Sequence, residues 1–100
     1  MTEVEVPAAV DPLSHHMVDL VKEIACALVD SPESVVVEAF PDGEGTLLRL
    51  RVASTDVGKV IGKQGRTARS IRTILSAASM KQKHRFGLDI VEDQSSHTPA

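Results

Sequence analysis

The stretch TDVGKVIGKQGRTARSIRTILSAA, residues 55–78, decides the fold. It has the pattern of a short helix, a Gly-Lys-Gln-Gly loop and a longer helix. Val57, Val60 and Ile61 lie at the i, i+3, i+4 spacing of one helix face. The same spacing returns after the loop at a second apolar set: Ala68, Ile71, Leu75 and Ala78. The pattern predicts two helices that meet at the glycines, each with one buried face.

The loop between these helices is suited to bind an anion. Gly62 and Gly65 allow a sharp turn and carry no side chains that would cover the two peptide groups between them. Backbone N–H groups at the start of a helix point outward, and the helix dipole favours negative charge there. Four basic side chains surround this point: Lys59, Lys63, Arg66 and Arg69. The pattern predicts a phosphate site.

Charge is strongly segregated along the chain. The net charge is −3, which alone argues against a nucleic-acid partner. Residues 57–88, however, contain eight basic residues and no acidic one, whereas the rest of the chain contains three basic and all 14 acidic residues. Such a surface is dipolar, and its local field attracts a polyanion more than the total charge repels it. A solvated helix face would show the same charges, but it would not require the adjacent Gly-x-x-Gly loop.

Length and composition limit the class of protein. One hundred residues, 42% of them hydrophobic, suffice for one folded domain. No apolar run approaches the roughly 20 residues that cross a bilayer, and the first residues lack a secretory signal pattern. Cys26 is the only cysteine, which excludes an internal disulfide and fits a reducing compartment. We expect a cytoplasmic protein in which Cys26 is a small filler residue at or near the surface.

The first part of the chain predicts a tail and a helix. Residues 1–11 are short, acidic and proline-containing, and we expect them to be disordered. Asp11 and Pro12 form a typical helix start, and Asp30-Ser31-Pro32 ends the helix. Between them, apolar residues keep helical spacing at Met17, Leu20, Val21, Ile24 and Leu28.

The remaining elements are predicted to be strands around the central helices. Residues 35–40 are rich in β-branched side chains, and a turn at residues 41–45 predicts an antiparallel return along residues 46–53. The returning strand alternates: Leu48, Leu50 and Val52 on one face, Leu47, Arg49 and Arg51 on the other. Ser54 or Thr55 is expected to cap the short helix. Residues 81–85 are interpreted as a basic connector and residues 86–91 as a last strand.

These elements predict a two-layer α+β domain over residues 12–92. Three strands form one sheet, and the helices cover one of its faces. Residues 93–100 are polar and are expected to form a second disordered tail.

The sequence resembles a known family. VIGKQG at residues 60–65, followed by Arg66-Thr67-Ala68 and by Ile71, resembles the VIGxxGxxxxxI core of KH domains. The segments ALVDSPESVVVE, LRLRVASTDVGKVIGKQGRTARSIRTIL and LDIVE are similar to small bacterial single-KH RNA-binding proteins, the KhpA group. The resemblance implies a type II KH domain with the order α-β-β-α-α-β, a three-stranded sheet and three helices on one face.

The resemblance also implies an RNA-binding protein that clamps about four nucleotides of single-stranded RNA. Gly62 and Gly65 would shape the loop, and the amides of Lys63 and Gln64 would meet phosphate oxygens. The expected RNA-binding residues are Val57, Gly58, Lys59, Ile61, Gly62, Lys63, Gln64, Gly65, Arg66 and Arg69. The only aromatic residues, Phe40 and Phe86, lie outside the loop region, so we expect modest affinity and weak sequence preference.

The implied partners are RNA and a second protein chain. The resemblance implies a homodimer, or a heterodimer with a larger KH-containing RNA-binding protein, acting in post-transcriptional regulation. Candidate dimer surfaces are the outward strand face with Leu47 and the exposed side of the first helix with Cys26 and Val29. No cofactor, metal, membrane or small-molecule substrate is expected, and the protein is not expected to be an enzyme.

Three other functions match parts of the sequence. Residues 58–63 superficially match a nucleotide-binding P-loop, but that motif needs four residues between its glycines and Ser or Thr after the Lys, where Gln64 stands. His15 and His16 are adjacent and cannot share a helix face as metal ligands. The remaining alternative is a protein-interaction module on a KH scaffold with weak or vestigial nucleic-acid binding. The intact loop and its basic surroundings argue against it, because packing requires neither.

Overall fold

The structure, a computed structural model, describes residues 12–92. The two predicted tails, residues 1–11 and 93–100, lie outside the described residues. The helices and strands follow in the predicted order: α1 Pro12–Leu28, β1 Val36–Asp42, β2 Gly45–Val52, α2 Val57–Ile61, α3 Arg66–Gln82 and β3 Phe86–Glu92. Short 3-10 turns at Pro32–Ser34, Ser54–Asp56 and Lys63–Gly65 connect them. The predicted α+β domain with the order α-β-β-α-α-β is confirmed.

The sheet has the strand order β1-β2-β3, with β2 in the centre. β1 and β2 pair antiparallel, as predicted, and Asp42 lies opposite Gly45. The turn therefore consists of only two residues, Gly43 and Glu44. Gly43 has a φ of 63°, a conformation that short hairpin turns favour and that glycine adopts readily. Pro41, which was expected in the turn, belongs to β1 instead, where an edge strand tolerates a residue without an N–H group. β3 pairs with β2 in parallel.

The hydrophobic core lies between the sheet and the helices. Leu48, Leu50 and Val52 of β2 are fully buried, which confirms the predicted alternation. From the helices, the core receives Val21, Ala25, Val60, Ile71 and Leu75. Burial of each large side chain contributes about 1.5–3 kcal/mol. This core fixes α2 and α3 on the sheet and so determines where the loop between them lies.

The buried face of α1 is shifted around the helix relative to the predicted apolar stripe. Val21 and Ala25 are fully buried, whereas Leu28, the last residue of α1, is 38% exposed. Ala25 belongs to the core, and its small side chain allows the helix to pack closely on the sheet. Cys26 is half-buried, and its Sγ lies 4.0 Å from the Pro32 carbonyl oxygen.

Helix α3 is longer than predicted, and the connector is correspondingly shorter. Residues 81 and 82 were expected in the connector, but α3 continues through Gln82. Lys83 is its C-cap residue and has a left-handed backbone with a φ of 56°. Basic side chains are favourable at a helix C-terminus because of the helix dipole, so they do not end the helix. The strand that follows is tied back to α3 by the Phe86 N–H, which donates to Ser79 Oγ at 2.9 Å.

None of the helices among the described residues is long and apolar enough to cross a membrane.

Candidate nucleic-acid interface

The loop between α2 and α3 is built on a left-handed backbone. Gly62 ends α2 with φ 80° and ψ 171°, and Gly65 precedes α3 with φ 73° and ψ 15°. Gln64 between them also has a positive φ, 57°. Glycine adopts such conformations readily, whereas other residues adopt them at a cost. The predicted glycine loop is therefore present at the position that the sequence indicates.

The two loop glycines are required for different reasons. A Cβ atom at Gly62 would overlap the Thr67 hydroxyl and lie 2.8 Å from the Thr67 Cβ. A Cβ atom at Gly65 would meet nothing within 4 Å, so only the backbone conformation demands glycine there. Thr67, in the first turn of α3, therefore packs directly against Gly62.

The backbone of the loop leaves two N–H groups for an external acceptor. The Gly62 N–H donates to the Gly58 carbonyl at 2.8 Å, and the Gly65 N–H donates to the Gly62 carbonyl at 3.1 Å. The N–H groups of Lys63 and Gln64 begin the 3-10 turn, where the first N–H groups have no acceptor within the turn. Both residues are exposed. Within residues 12–92, these two adjacent donors have no backbone acceptor, and both belong to exposed residues at the tip of the loop.

Three cations around the loop have no carboxylate partner among the described residues. Lys63, Arg66 and Arg69 are exposed, and none of them takes part in the ion pairs formed within residues 12–92. Arg66 and Arg69 lie in the first turns of α3, close to the two loop N–H groups. The loop donors and these charges together form a surface suited to a phosphate group.

Lys59 differs from the other predicted cations. Its Nζ lies 3.4 Å from Asp30 Oδ2 and 3.6 Å from Asp56 Oδ1. The sequence predicts Lys59 as part of the same basic group, but the structure directs it toward carboxylates near the start of α2. Its charge is largely compensated within the protein.

The predicted groove residues share one side of α2. Val57, Gly58 and Ile61 lie at i, i+1 and i+4 along the helix; Val57 and Ile61 are half-buried and Gly58 is exposed. A Cβ atom at Gly58 would meet nothing within 4 Å, and its backbone does not have a positive φ. Packing within the described residues therefore does not require glycine at this position, where a bare helix surface faces outward.

Two further polar residues make contacts between elements that the sequence did not predict. Arg72, in α3, donates from Nη2 to the Leu88 carbonyl at 3.2 Å and joins α3 to β3. Asp56, rather than the predicted Ser54 or Thr55, is the N-cap residue of α2; it is fully buried and accepts hydrogen bonds from the segment after α1. A buried carboxylate that bonds to residues far away in sequence has no local sequence signal.

Within residues 12–92, no group of three His, Cys, Asp or Glu side chains is arranged to hold a metal ion.

Comparison with known proteins identifies close relatives over most of the chain. The family described as "KhpA/KhpB, KH domain" matches residues 18–90. The "RNA-binding protein KhpA" of Halalkalibacterium halodurans is 50% identical over 76 residues, which cover 76% of this chain and all of that protein. The protein of the same name from Treponema pallidum is 53% identical and covers 74% of this chain and 92% of its own length. That of Bacillus subtilis is 40% identical over 77 residues, covering 77% of this chain and 95% of its own length.

Solved structures agree with the fold. Era in complex with MgGDPNP and a segment of 16S ribosomal RNA superposes with a TM-score of 0.53 at 16% identity over 92% of this chain. Aquifex aeolicus Era bound to GDP.AlF4- gives the same TM-score at 18% identity. This chain spans 35% and 36% of the two Era chains. At such low identity the likeness concerns the fold alone.

Proposed function

The chain belongs to the KhpA/KhpB KH-domain family, and we propose that it binds short single-stranded RNA through the loop of residues 62–65. Its relatives are named RNA-binding proteins, and the KH domain is a non-enzymatic family, so the chain is not an enzyme. Its order of elements is that of a type II KH domain. The proposal concerns which residues bind RNA and how.

The observation that carries the proposal is that the N–H groups of the exposed residues Lys63 and Gln64 have no backbone acceptor within residues 12–92. Each can donate to a phosphate oxygen, and the Lys63 ammonium adds a full charge at the same point. Arg66 and Arg69 would contact neighbouring phosphates of the RNA, so that the loop and α3 together bind about four nucleotides. Because these contacts go to phosphates, they are insensitive to base sequence.

The bases would lie against the bare side of α2. Val57 and Ile61 offer apolar contacts, and Gly58 allows a base to approach the helix backbone closely. Aromatic stacking, worth about 1–3 kcal/mol per base, is absent here, since Phe86 is buried and Phe40 lies on the outward face of the sheet. We therefore expect modest affinity and weak sequence preference. Lys59 would contribute only a long-range charge, because Asp30 and Asp56 already pair with it.

The wider role that we propose is post-transcriptional regulation in the cytoplasm by a dimer. One small clamp binds weakly, and a second RNA-binding unit raises the affinity through effective concentration. The second unit would be another copy of this chain or a larger KH-containing RNA-binding protein. Of the two candidate dimer surfaces, the outward sheet face is favoured, because Cys26 and Val29 are packed against the core whereas Val36 and Phe40 are exposed.

An NMR titration of the labelled protein with a pool of short single-stranded RNA at low salt tests the proposal. We expect the amide signals of residues 57–69 to shift with added RNA, most strongly those of Lys63 and Gln64. A folded protein whose signals in this segment do not move would exclude the clamp. Shifts on the outward sheet face upon addition of a protein partner, with none at the loop, would favour the interaction-module alternative.

A further inference from the structure

On the basis of the proposed RNA-binding function, we propose that Asp56 is a positioning residue for the binding loop. It does not contact the ligand; its carboxylate holds α2 in the orientation from which the loop presents the Lys63 and Gln64 N–H groups.

The carboxylate of Asp56 is fully enclosed and bonded on both oxygens. Only 1% of the side chain is exposed. Its Oδ1 accepts the Asp30 N–H at 3.2 Å, and its Oδ2 accepts the Ser31 N–H at 3.0 Å. Lys59 Nζ lies 3.6 Å from Oδ1. Asp56 thus joins the segment that follows α1 to the beginning of α2, across 26 positions of sequence.

Helix capping does not account for this residue. Asp56 is at the N-cap position of α2, but its side chain makes no capping hydrogen bond. The side chain of an N-cap aspartate ordinarily accepts an N–H from the first turn of its own helix. Here both oxygens bond to a different segment, so the carboxylate fixes α2 relative to the rest of the domain.

Helix α2 depends on such external contacts. It has only five residues, which is far below the length at which an isolated helix is stable. Val60 anchors one side of α2 in the core with no exposed surface. On another side Lys59 bridges Asp56 and Asp30, the latter at 3.4 Å. These two anchors prevent α2 from rolling about its axis.

The orientation of α2 determines the orientation of the loop that follows it. Gly62 follows the last residue of α2, and its N–H bonds back to the Gly58 carbonyl at 2.8 Å. A rotation of α2 would therefore turn the Lys63 and Gln64 N–H groups away from the side chains of Arg66 and Arg69, which move with α3. Asp56 acts on the binding site through α2, without touching it.

Stability alone is a poor explanation for a carboxylate in this place. Burial of a charged group is costly, and well-packed apolar side chains often replace buried ion pairs without loss of stability. An apolar side chain, however, cannot bond two backbone N–H groups and a lysine in fixed directions. The hydrogen bonds of Asp56 therefore fix the orientation of the first residues of α2.

The test compares Asp56→Ala with Val21→Ala. Val21 is an equally buried residue of α1 that has no part in the loop, so its variant serves as the control for lost stability. RNA affinity is measured by fluorescence anisotropy at a temperature where both variants are fully folded. We expect Asp56→Ala to bind about tenfold more weakly than the parent, whereas Val21→Ala stays within about twofold.

A second readout is independent of RNA. In the free protein, the amide signals of Lys63 and Gln64 should shift or broaden in Asp56→Ala and stay in place in Val21→Ala. Asp56→Asn, which preserves side-chain volume but directs an NH2 group at one of the backbone donors, should resemble Asp56→Ala. This variant keeps the test valid if Asp56→Ala does not fold.

Two outcomes would overturn the inference. Asp56 variants that bind as the parent does and leave the loop signals unchanged would show that the loop does not depend on the carboxylate. Equal loss of affinity in Val21→Ala would show a general effect of destabilisation. Failure of the parent to bind RNA would instead refute the proposed function, and the loop signals of the free protein would still decide the role of Asp56.

Discussion

The loop end of the domain and the outward face of its sheet both carry basic side chains, but among the described residues only those on the sheet are paired with carboxylates. On the sheet, Arg49 Nε lies 3.2 Å from Asp89 Oδ2, and Arg51 Nη2 lies 3.1 Å from Glu38 Oε1. Arg49 also lies over the Phe40 ring, 5.0 Å from its centroid. At the loop, Lys63, Arg66 and Arg69 form none of the ion pairs made within residues 12–92.

The difference shows that a count of basic residues does not identify a nucleic-acid surface. A polyanion gains affinity when a protein cation replaces its counterions. An arginine that is already paired with a carboxylate must give up that partner first, and the carboxylate left behind repels the phosphate. The sheet face is therefore nearly neutral and presents apolar side chains between its ion pairs, as a protein contact surface does. The loop is the surface on which RNA binding is expected.

The largest effect is expected when charge at the loop tip is reversed. Lys63→Asp combined with Gln64→Asp sets two carboxylates against the phosphates, and we expect at least a hundredfold loss of RNA affinity, about 2.7 kcal/mol. The fold should persist, because both residues are exposed and Asp tolerates the left-handed backbone at position 64.

Lys22→Asp combined with Gln82→Asp is the control for this variant, since it makes the same change in charge at two exposed helix positions. RNA affinity by anisotropy and the melting temperature should be measured for both pairs. Equal binding by the loop variant and the parent would refute the assignment of the site.

Removal of matched arginine pairs tests the comparison directly. Arg66→Gln with Arg69→Gln should weaken RNA binding about tenfold, because each of the two lost phosphate contacts is worth roughly 0.7 kcal/mol in this estimate. Arg49→Gln with Arg51→Gln should leave RNA affinity within about twofold but lower stability by about 0.2–1 kcal/mol for each broken ion pair. Titration with RNA and thermal unfolding provide the two measurements. The opposite pattern would place RNA on the sheet face.

The salt dependence of RNA affinity tests the same comparison between loop and sheet, and the expected effect is smaller. Three or four phosphate contacts to a single strand predict a slope of log K against log salt of roughly −2 to −3. The slope should become shallower by about 1.4 in the Arg66/Arg69 variant and stay unchanged in the Arg49/Arg51 variant. Affinities measured over a series of salt concentrations give these slopes. A flat response of the parent protein would contradict an electrostatic clamp.

The smallest effect is expected at Gly58. Gly58→Ala should raise the free energy of unfolding by about 0.5–1 kcal/mol, since glycine is unfavourable in a helix and the added methyl group has open space around it. RNA affinity should nevertheless fall by a few-fold, because the methyl group lies where a base is expected. Denaturant unfolding and RNA titration measure the two effects. Higher stability with unchanged affinity would remove Gly58 from the groove.

Much of this structure could be predicted from local patterns. The glycine pair and the apolar spacing on each side of it predict α2, the loop and α3, and alternation predicts the buried face of β2. These features depend on backbone conformation and on periods of two or 3.6 residues, which the sequence displays directly. The predicted site residues of the loop region also lie together, because 13 consecutive positions, residues 57–69, contain all of them.

Other features could not be predicted, because they depend on contacts between distant residues. Helix α1 buries Ala25 rather than Leu28, since the face that meets the sheet is set by how closely the helix can approach it. Lys59 has the same local character as Lys63, yet within residues 12–92 only Lys59 is paired with carboxylates. No periodicity distinguishes these two lysines.

The sequence by itself determined the order of the elements, the left-handed loop and the concentration of positive charge around it. The tertiary structure decided which of those charges are paired with carboxylates among the described residues and how α2 is held in place. It paired Lys59 with Asp30 and Asp56, paired Arg49 and Arg51 with carboxylates on the sheet, and buried Asp56 at the start of α2. The physical reason is that ion pairs and buried hydrogen bonds depend on distances between atoms of different elements, and only the packed core sets those distances.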